Sequence, residues 1–399
     1  MDPMPLSQEL SKAIDAAVDR ERDALHKLAK DIHANPELRF EEYKASAWIA
    51  ELLRARGFEV EHGLANMPTA VRAKVKGQSG KSNGPVVAIL GEYDALPEIG
   101  HACGHNLIAT SAVGAFLAAA SVASKAGGEV VFLGTPAEEG GGGKVTMIDA
   151  GVFEGLSAAM MFHPFDRDVL AHPALATVWL QMTFKGSPSH AAATPHDGKS
   201  ALQACMDTFR LVDGQRVHFR DGVRVHGYIT NGGQAVNIIP EDAALEYSVR
   251  ARDTDELARV RAIVERCARA AAMASDVKVD IFAKRGYRDM RNNMAMARSF
   301  GTHLAALGRK ARETDERVGS GSTDMGDVSH VCPSIHPYLA IVDEGEALCH
   351  EHRFTAAAGS ERGLTTALDA AKALARTAVE VLADENLRRA VHEEWRAGS

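Results

Sequence analysis

Short aliphatic runs alternate with helical segments through the first 175 residues. No other feature constrains the fold as tightly. "PVVAIL" (85–90) is a strand-length, β-branched run ending at Gly91, "EVVFLGTP" (129–136) is a second and "AAMMFHPF" (158–165) a third. "NLIATSAVGAFLAAASVASKA", between the first two, reads as a helix. Residues 7–57 read as helix broken at "HANPELRFEE", where Pro36 marks a turn between two helices. Strand and helix in alternation predict an α/β fold, a mainly parallel sheet covered by helices on both faces. Ligands of such sheets gather beyond the carboxyl ends of the strands. The loops after Leu90, after Thr135 and around His163 are therefore expected to converge.

Near residue 176 the pattern changes. "ATVWLQMTFKG" alternates as a half-buried strand. A helix follows over about 198–216, then strands over 223–230 and 243–252, a helix over 254–273 and a strand over 277–283. That order, βαββαβ, is the ferredoxin-like α+β unit. It predicts an inserted lid or dimerisation domain over 176–287, with the catalytic domain formed by 1–175 and 288–399. The open edges of its sheet would suit a second copy, so a homodimer is expected.

The chain has 399 residues, 46% of them hydrophobic, which is long for a single core and favours two domains. A net charge of −8 without any basic run excludes nucleic acid as a partner. The most apolar stretch, 109–122, is too short to span a bilayer and reads as a buried helix, so no membrane association is expected. The N-terminus lacks a basic segment followed by an apolar core, so no signal peptide is read. Cys103, Cys205, Cys267, Cys332 and Cys349 are scattered and odd in number, which fits a reduced, cytoplasmic protein.

Three places carry chemistry, each expected at a strand's carboxyl end: Cys103 with His105, Glu138 with Glu139, and His163. Thiolate, imidazole and carboxylate form the ligand set of zinc and related divalent ions. Adjacent glutamates on an extended backbone point different ways, so one can bind metal while the other faces substrate. A metal hydrolase needs that division: a Lewis acid that lowers the pKa of water from 15.7 to about 7, and a separate carboxylate to take the proton. Two other readings stay open at this point. One is a thiol hydrolase with Cys103 as nucleophile and His105 as base, although residues two apart rarely reach the required geometry. The other is a non-catalytic binding protein.

"GEYDALPEIGHACGHNL", "TPAEEGGGGK", "MMFHP", "GSPSHAAATPHDGKSAL" and "AVNIIPEDAALEYSVRARD" together resemble the two-metal aminoacylase and carboxypeptidase family, closest to its auxin-conjugate and aminobenzoyl-glutamate amidohydrolase branch. The resemblance runs in order along most of the chain. It implies Cys103, His105, Glu139, His163 and His350 as metal ligands, Cys103 bridging two ions and His352 the competitor for the last position. It implies Glu138 as general base and Asp94 as the residue that orients a ligand from behind. It further implies His190 as an oxyanion donor, often working across a dimer interface, and Asn237 as a substrate contact. Arg250 and His336 are further candidate substrate contacts, and His196 is either a substrate contact or a loop cap. Zinc is the first expectation, with manganese, cobalt or nickel as alternatives, and the substrate a small N-acyl amino acid, aryl-amide or dipeptide with a free carboxylate. The sequence departs from the family pattern at Glu92, where other branches carry a ligand histidine, and at Asn106, an aspartate in close relatives. His33 is expected to be structural. The loops 230–235 and 320–338 are expected to line the pocket.

Overall fold

The computed structural model describes residues 6–76, 84–315 and 321–398. The N-terminal helical stretch forms three helices rather than two: Gln8–Arg20, Arg22–Ala34 and Tyr43–Ala55. The extra break is the single residue Glu21, whose carboxylate leaves the helix line to bind the Arg56 guanidinium at 2.7 Å. One joint residue leaves the apolar periodicity intact, so the sequence pattern runs straight through it.

The chain divides into two compact units, 174–289 and the remainder. The larger unit holds a six-stranded sheet in the order Val60–His62, Val71–Lys76, Glu129–Thr135, Val86–Glu92, Ala158–Met160, Ser334–Ile335. Val86–Glu92 is parallel to both neighbours, and Ala158–Met160 is parallel to Ser334–Ile335. The two strands at the other edge run antiparallel, so the sheet is mixed. Val86–Glu92 is buried at six of seven positions, as a strand covered on both faces must be. The helix His105–Ala126 packs on it so closely that a Cβ on Gly91 would lie 3.1 Å from Ala112. That helix is long and apolar enough to cross a membrane, but it lies in the core against the helix Glu361–Ala383.

The run 158–165 is not one strand. Ala158–Met160 joins the main sheet, while His163–Phe165 pairs in parallel with Tyr338–Ala340 as a separate ribbon. The stretch 320–338, expected as a loop, contains the helix Met325–Ser329 and a short strand; its residue 320 lies outside the described residues.

In the smaller unit, strands Ala176–Lys185, Arg224–Asn231, Asp242–Ala251 and Lys278–Lys284 form an antiparallel sheet ordered fourth, first, third, second. Helices Ala201–Gln215 and Thr254–Ala274 cover it, giving the βαββαβ order. Leu180, Met182 and Phe184, alternating on the first strand, are fully buried in its core. At roughly 1.5–3 kcal/mol for each such side chain, that stripe outweighs the exposed polar positions between them. Where the chain leaves and regains this unit, Thr177 N donates to Tyr287 O at 2.8 Å. The flanking ends on the larger unit are also side by side, with Asn292 Nδ2 donating to His172 O at 2.9 Å.

Candidate metal centre

Register builds the site. Glu92 pairs with Thr135, so two parallel strands end together and release the loops 93–104 and 136–142 from one edge. The first loop carries Asp94 and Cys103 and runs into the helix that begins at His105. Gly104 joins Cys103 to His105 at φ +72°, and a Cβ there would sit 2.8 Å from Pro164 Cγ. Only glycine meets both demands, and the close approach brings the Cys-Gly-His turn against His163. The second loop carries Glu138 and Glu139. His350 adopts φ +71° and donates its amide to Ala102 O at 3.1 Å, which ties the C-terminal segment to the cysteine loop.

Three ligand groups result, with donor atoms in each lying within 4.8 Å of one another: Cys103, His105 and His163; Cys103, Glu139 and His350; His105, Glu138 and Glu139. Cys103 belongs to the first two. His350 is in the cluster, and His352 is instead the exposed first residue of the helix His352–Ala358. His105 Nδ1 donates to the Asp94 carbonyl at 2.9 Å and to its Oδ1 at 3.0 Å, which leaves Nε2 as the ring nitrogen available to the cluster. The other oxygen of Asp94 accepts Glu139 N at 2.9 Å, so a single carboxylate fixes both ligand loops. His163 Nδ1 donates to Pro164 O at 2.6 Å and likewise frees its Nε2. His105 Nε2 and Glu139 Oε1 are buried without a hydrogen-bond partner. Unpartnered imidazole and carboxylate atoms beside a buried thiol are what a pair of divalent cations would satisfy, and the residues fit that group.

Charge explains the rest. Burial alone would lower the His105 pKa, yet Asp94, Glu92 and Glu139 outweigh it and hold it well up. Burial and the neighbouring Glu92, Glu139 and Asp324 charges push Glu138 well above the ordinary carboxylate range. Behind Glu138 lies a feature that sequence reasoning missed. Lys144 is fully buried, with its ammonium bound to Glu92 and, at 2.7 Å, to Asp324. Glu92, Glu138 and Asp324 place carboxylate oxygens within 4.8 Å of one another. Lys144 is the cation that lets three acids share that volume, and Glu92 is its structural partner. The available signal was a lone lysine between a glycine run and an apolar stretch.

Buried His336 meets His163 edge to face, ring centroids 5.5 Å apart, and its Nε2 has no hydrogen-bond partner. Asn106 bridges Ala29 O and Ala358 O through its amide NH2, which an aspartate could not do. His33 Nε2 contacts Thr355 O at 2.8 Å, a structural bond. In the smaller unit, His190 and Asn237 are exposed neighbours, with Ala191 N donating to Asn237 O and His190 bridged to Ile238. Arg250 does not join them. It pairs with Arg224 eight residues along Asp242–Ala251, roughly 26 Å from the strand end that leads to Asn237. His196 is exposed on a single 3₁₀ turn.

A family model for peptidase family M20/M25/M40 matches residues 88–378. The chain belongs to this family. A Xaa-Arg dipeptidase of mouse (Mus musculus) is 38% identical over 98% of this chain and 92% of the relative. A p-aminobenzoyl-glutamate hydrolase polypeptide of Escherichia coli is 35% identical over 68% of this chain and 60% of the relative. A dinuclear metal-binding peptidase of Bacillus subtilis shares the fold, with a TM-score of 0.70 at 21% identity over 91% of this chain and 99% of that one. This M20 protein is therefore a hydrolase of amide or peptide C–N bonds. The Cys103 thiol does not suit a free nucleophile: the adjoining Cys349 thiol and burial push its pKa well up. A bound cation would take it as thiolate.

Proposed function

We propose that this M20 hydrolase cleaves the amide bond of small substrates bearing a free carboxylate, at a site that holds two divalent cations. The carrying observation is that Cys103 is common to two ligand triads while Glu138 lies beside both. Cys103, His105 and His163 would hold one ion, and Cys103, Glu139 and His350 the other, with Asp94 fixing His105 and the Glu139 amide. Zinc suits a thiolate and imidazole set first; manganese, cobalt and nickel are alternatives. When bound, such ions supply Lewis acidity toward the amide carbonyl and lower the pKa of water at the site.

Glu138 takes the proton of the attacking water and returns it to the leaving amine. Its place beside both ligand triads puts it within reach of a water held there for both halves of that task. His190 Nδ1 accepts the amides of Ala192 at 3.2 Å and Ala193 at 3.1 Å, so its proton sits on Nε2. A neutral Nε2–H donor is the type that stabilises an oxyanion. Asn237 and His336 are assigned to substrate contact.

Dipeptides, N-acyl amino acids and aryl-amide conjugates are the substrate classes to screen. The mouse and human relatives, both named Xaa-Arg dipeptidase, put Xaa-Arg dipeptides first. Metal analysis with a turnover screen over these classes tests the reading. Chelation should abolish turnover and added metal restore it. Glu138→Gln should lower kcat by at least a thousandfold with metal content unchanged; retained turnover would remove Glu138 as the base.

A second copy is assigned to the edge strand Arg224–Asn231, where Tyr228 and Ile229 are exposed beside an unpaired edge. Sedimentation of the intact chain and of a Tyr228→Lys variant decides between dimer and monomer. The free thiols of all five cysteines suit a reducing, cytoplasmic setting.

A further inference from the structure

The segment "HANPELRFEE" serves more than a turn between helices. It ends in Glu42, fully buried, whose carboxylate accepts three hydrogen bonds. Oε1 takes the amides of Phe40 and Ala137, both at 2.9 Å, and Oε2 takes the Thr69 hydroxyl at 2.8 Å. Both amide donors belong to left-handed residues, Phe40 at φ +64° and Ala137 at φ +61°. Neither is glycine, asparagine or aspartate, so each conformation has to be imposed by its surroundings. A single oxygen therefore clamps two strained turns, one two residues before Glu42 in sequence and the other 95 residues beyond it.

Ala137 immediately precedes Glu138. Its φ sets the direction in which the Glu138 and Glu139 side chains leave the strand end. The same N-terminal segment grips the loop twice more. Arg39 Nη1 donates to Glu139 O at 3.1 Å, and the Phe40 ring lies where a Cβ on Gly141 would come within 2.9 Å of it. Within the loop, Gly142 N donates to Ala137 O at 2.8 Å and Gly140 N to Glu138 O at 2.6 Å. Those two bonds are local and do not tie the loop to the rest of the unit; the Glu42 bond does. Thr69 is held in turn, its carbonyl accepting the buried Tyr93 hydroxyl at 2.6 Å.

We infer that Glu42 is a positioning residue of the hydrolytic site, a buried acceptor that locks the left-handed turn at Ala137 and so aims Glu138 at the reacting water. The inference rests on the assignment of Glu138 as base. It makes hydrogen-bond acceptance at the right reach, rather than charge, the requirement at position 42. Glutamine keeps an acceptor oxygen at the same distance. Aspartate keeps the charge and shortens the reach by one carbon. Alanine removes both.

Glu42→Ala, Glu42→Asp and Glu42→Gln should be compared with the full-length parent in two ways: kcat and KM on a cleaved dipeptide, and amide hydrogen exchange of the peptide covering 136–142. Glu42→Ala and Glu42→Asp should each lose at least tenfold in kcat with KM within about twofold. Exchange over 136–142 should rise at least tenfold in both. Glu42→Gln should recover most of each quantity. Should Glu42→Ala fail to fold, the Asp and Gln variants still decide the matter. Parent-like kcat and exchange in Glu42→Asp, or a Glu42→Gln as impaired as Glu42→Asp, would overturn the inference. If the parent cleaves no amide substrate, the proposed activity fails, and the exchange experiment still judges the clamp.

Discussion

Replacing Lys144 with methionine is the sharpest perturbation of this structure. The ammonium is fully buried and touches Glu92 and Asp324, themselves almost wholly buried. Burial alone would lower its pKa, yet Asp324, Glu92 and Glu138 outweigh that and keep it charged. Methionine fills similar volume, so packing changes little; what changes is that two buried carboxylates lose the ammonium they share. Breaking a buried pair by removing one partner costs about 3–5 kcal/mol, against a total stability of about 5–15 kcal/mol. At roughly 2–4 °C per kcal/mol for a unit of this size, the midpoint should fall by roughly 6–20 °C. Thermal and urea unfolding of the metal-free chain measure it. Asp324→Asn, which leaves the Lys144–Glu92 pair in place, should cost less. Adding Glu92→Gln and Asp324→Asn to Lys144→Met should recover most of the loss. A Lys144→Met loss below about 1 kcal/mol, or no recovery in the triple variant, would refute the account of Lys144 as the charge that holds these acids together.

Asp94→Ala frees the Glu139 amide and leaves the His105 ring only its bond to the backbone carbonyl of residue 94; metal affinity should fall roughly 10–100-fold, measured by competition with a chromophoric chelator. Stability should also depend on pH through Glu42. Burial, with the Asp94 charge, raises its pKa from 4.5 to about 7. The folded protein then holds this proton up to near neutrality, whereas the unfolded chain releases it near 4.5. Glu42 therefore lowers stability progressively as pH rises from about 4.5 to 7, by an amount on the order of 3 kcal/mol. Glu42→Gln should flatten that part of the urea-unfolding profile; an unchanged slope would count against Glu42 as its source.

The long elements were legible because each carries many periods of its pattern. Val86–Glu92, Glu129–Thr135 and Ala176–Lys185 announce themselves through continuous or alternating apolar residues. Val60–His62, Ser334–Ile335 and Tyr338–Ala340 are two or three residues long, too short to show a period. The break at 161–162 leaves no mark in the sequence because both halves of "AAMMFHPF" are apolar, while their pairing partners lie near 335 and 338. Within the site, the residues that would touch a cation stand in recognisable clusters, as Cys103 with His105 and Glu138 with Glu139. The residues that hold those clusters in place do not. Lys144 finds Glu92 and Asp324 at 52 and 180 residues' separation, and Glu42 finds Ala137 at 95. Such long-range electrostatic matches leave no local trace, because a buried lysine and a solvated one are written alike.

The smaller unit begins and finishes at one spot, where Thr177 bonds to Tyr287, and the larger unit closes its own gap where His172 bonds to Asn292. A chain that departs and returns through adjoining residues makes a detachable excursion. Joining His172 to Asn292 by a few glycines would rebuild the larger unit without stretching any strand, and the excised piece would keep its own antiparallel sheet and core. Gene rearrangement could exchange or trim that appendage while every side chain that faces the cations stayed in frame.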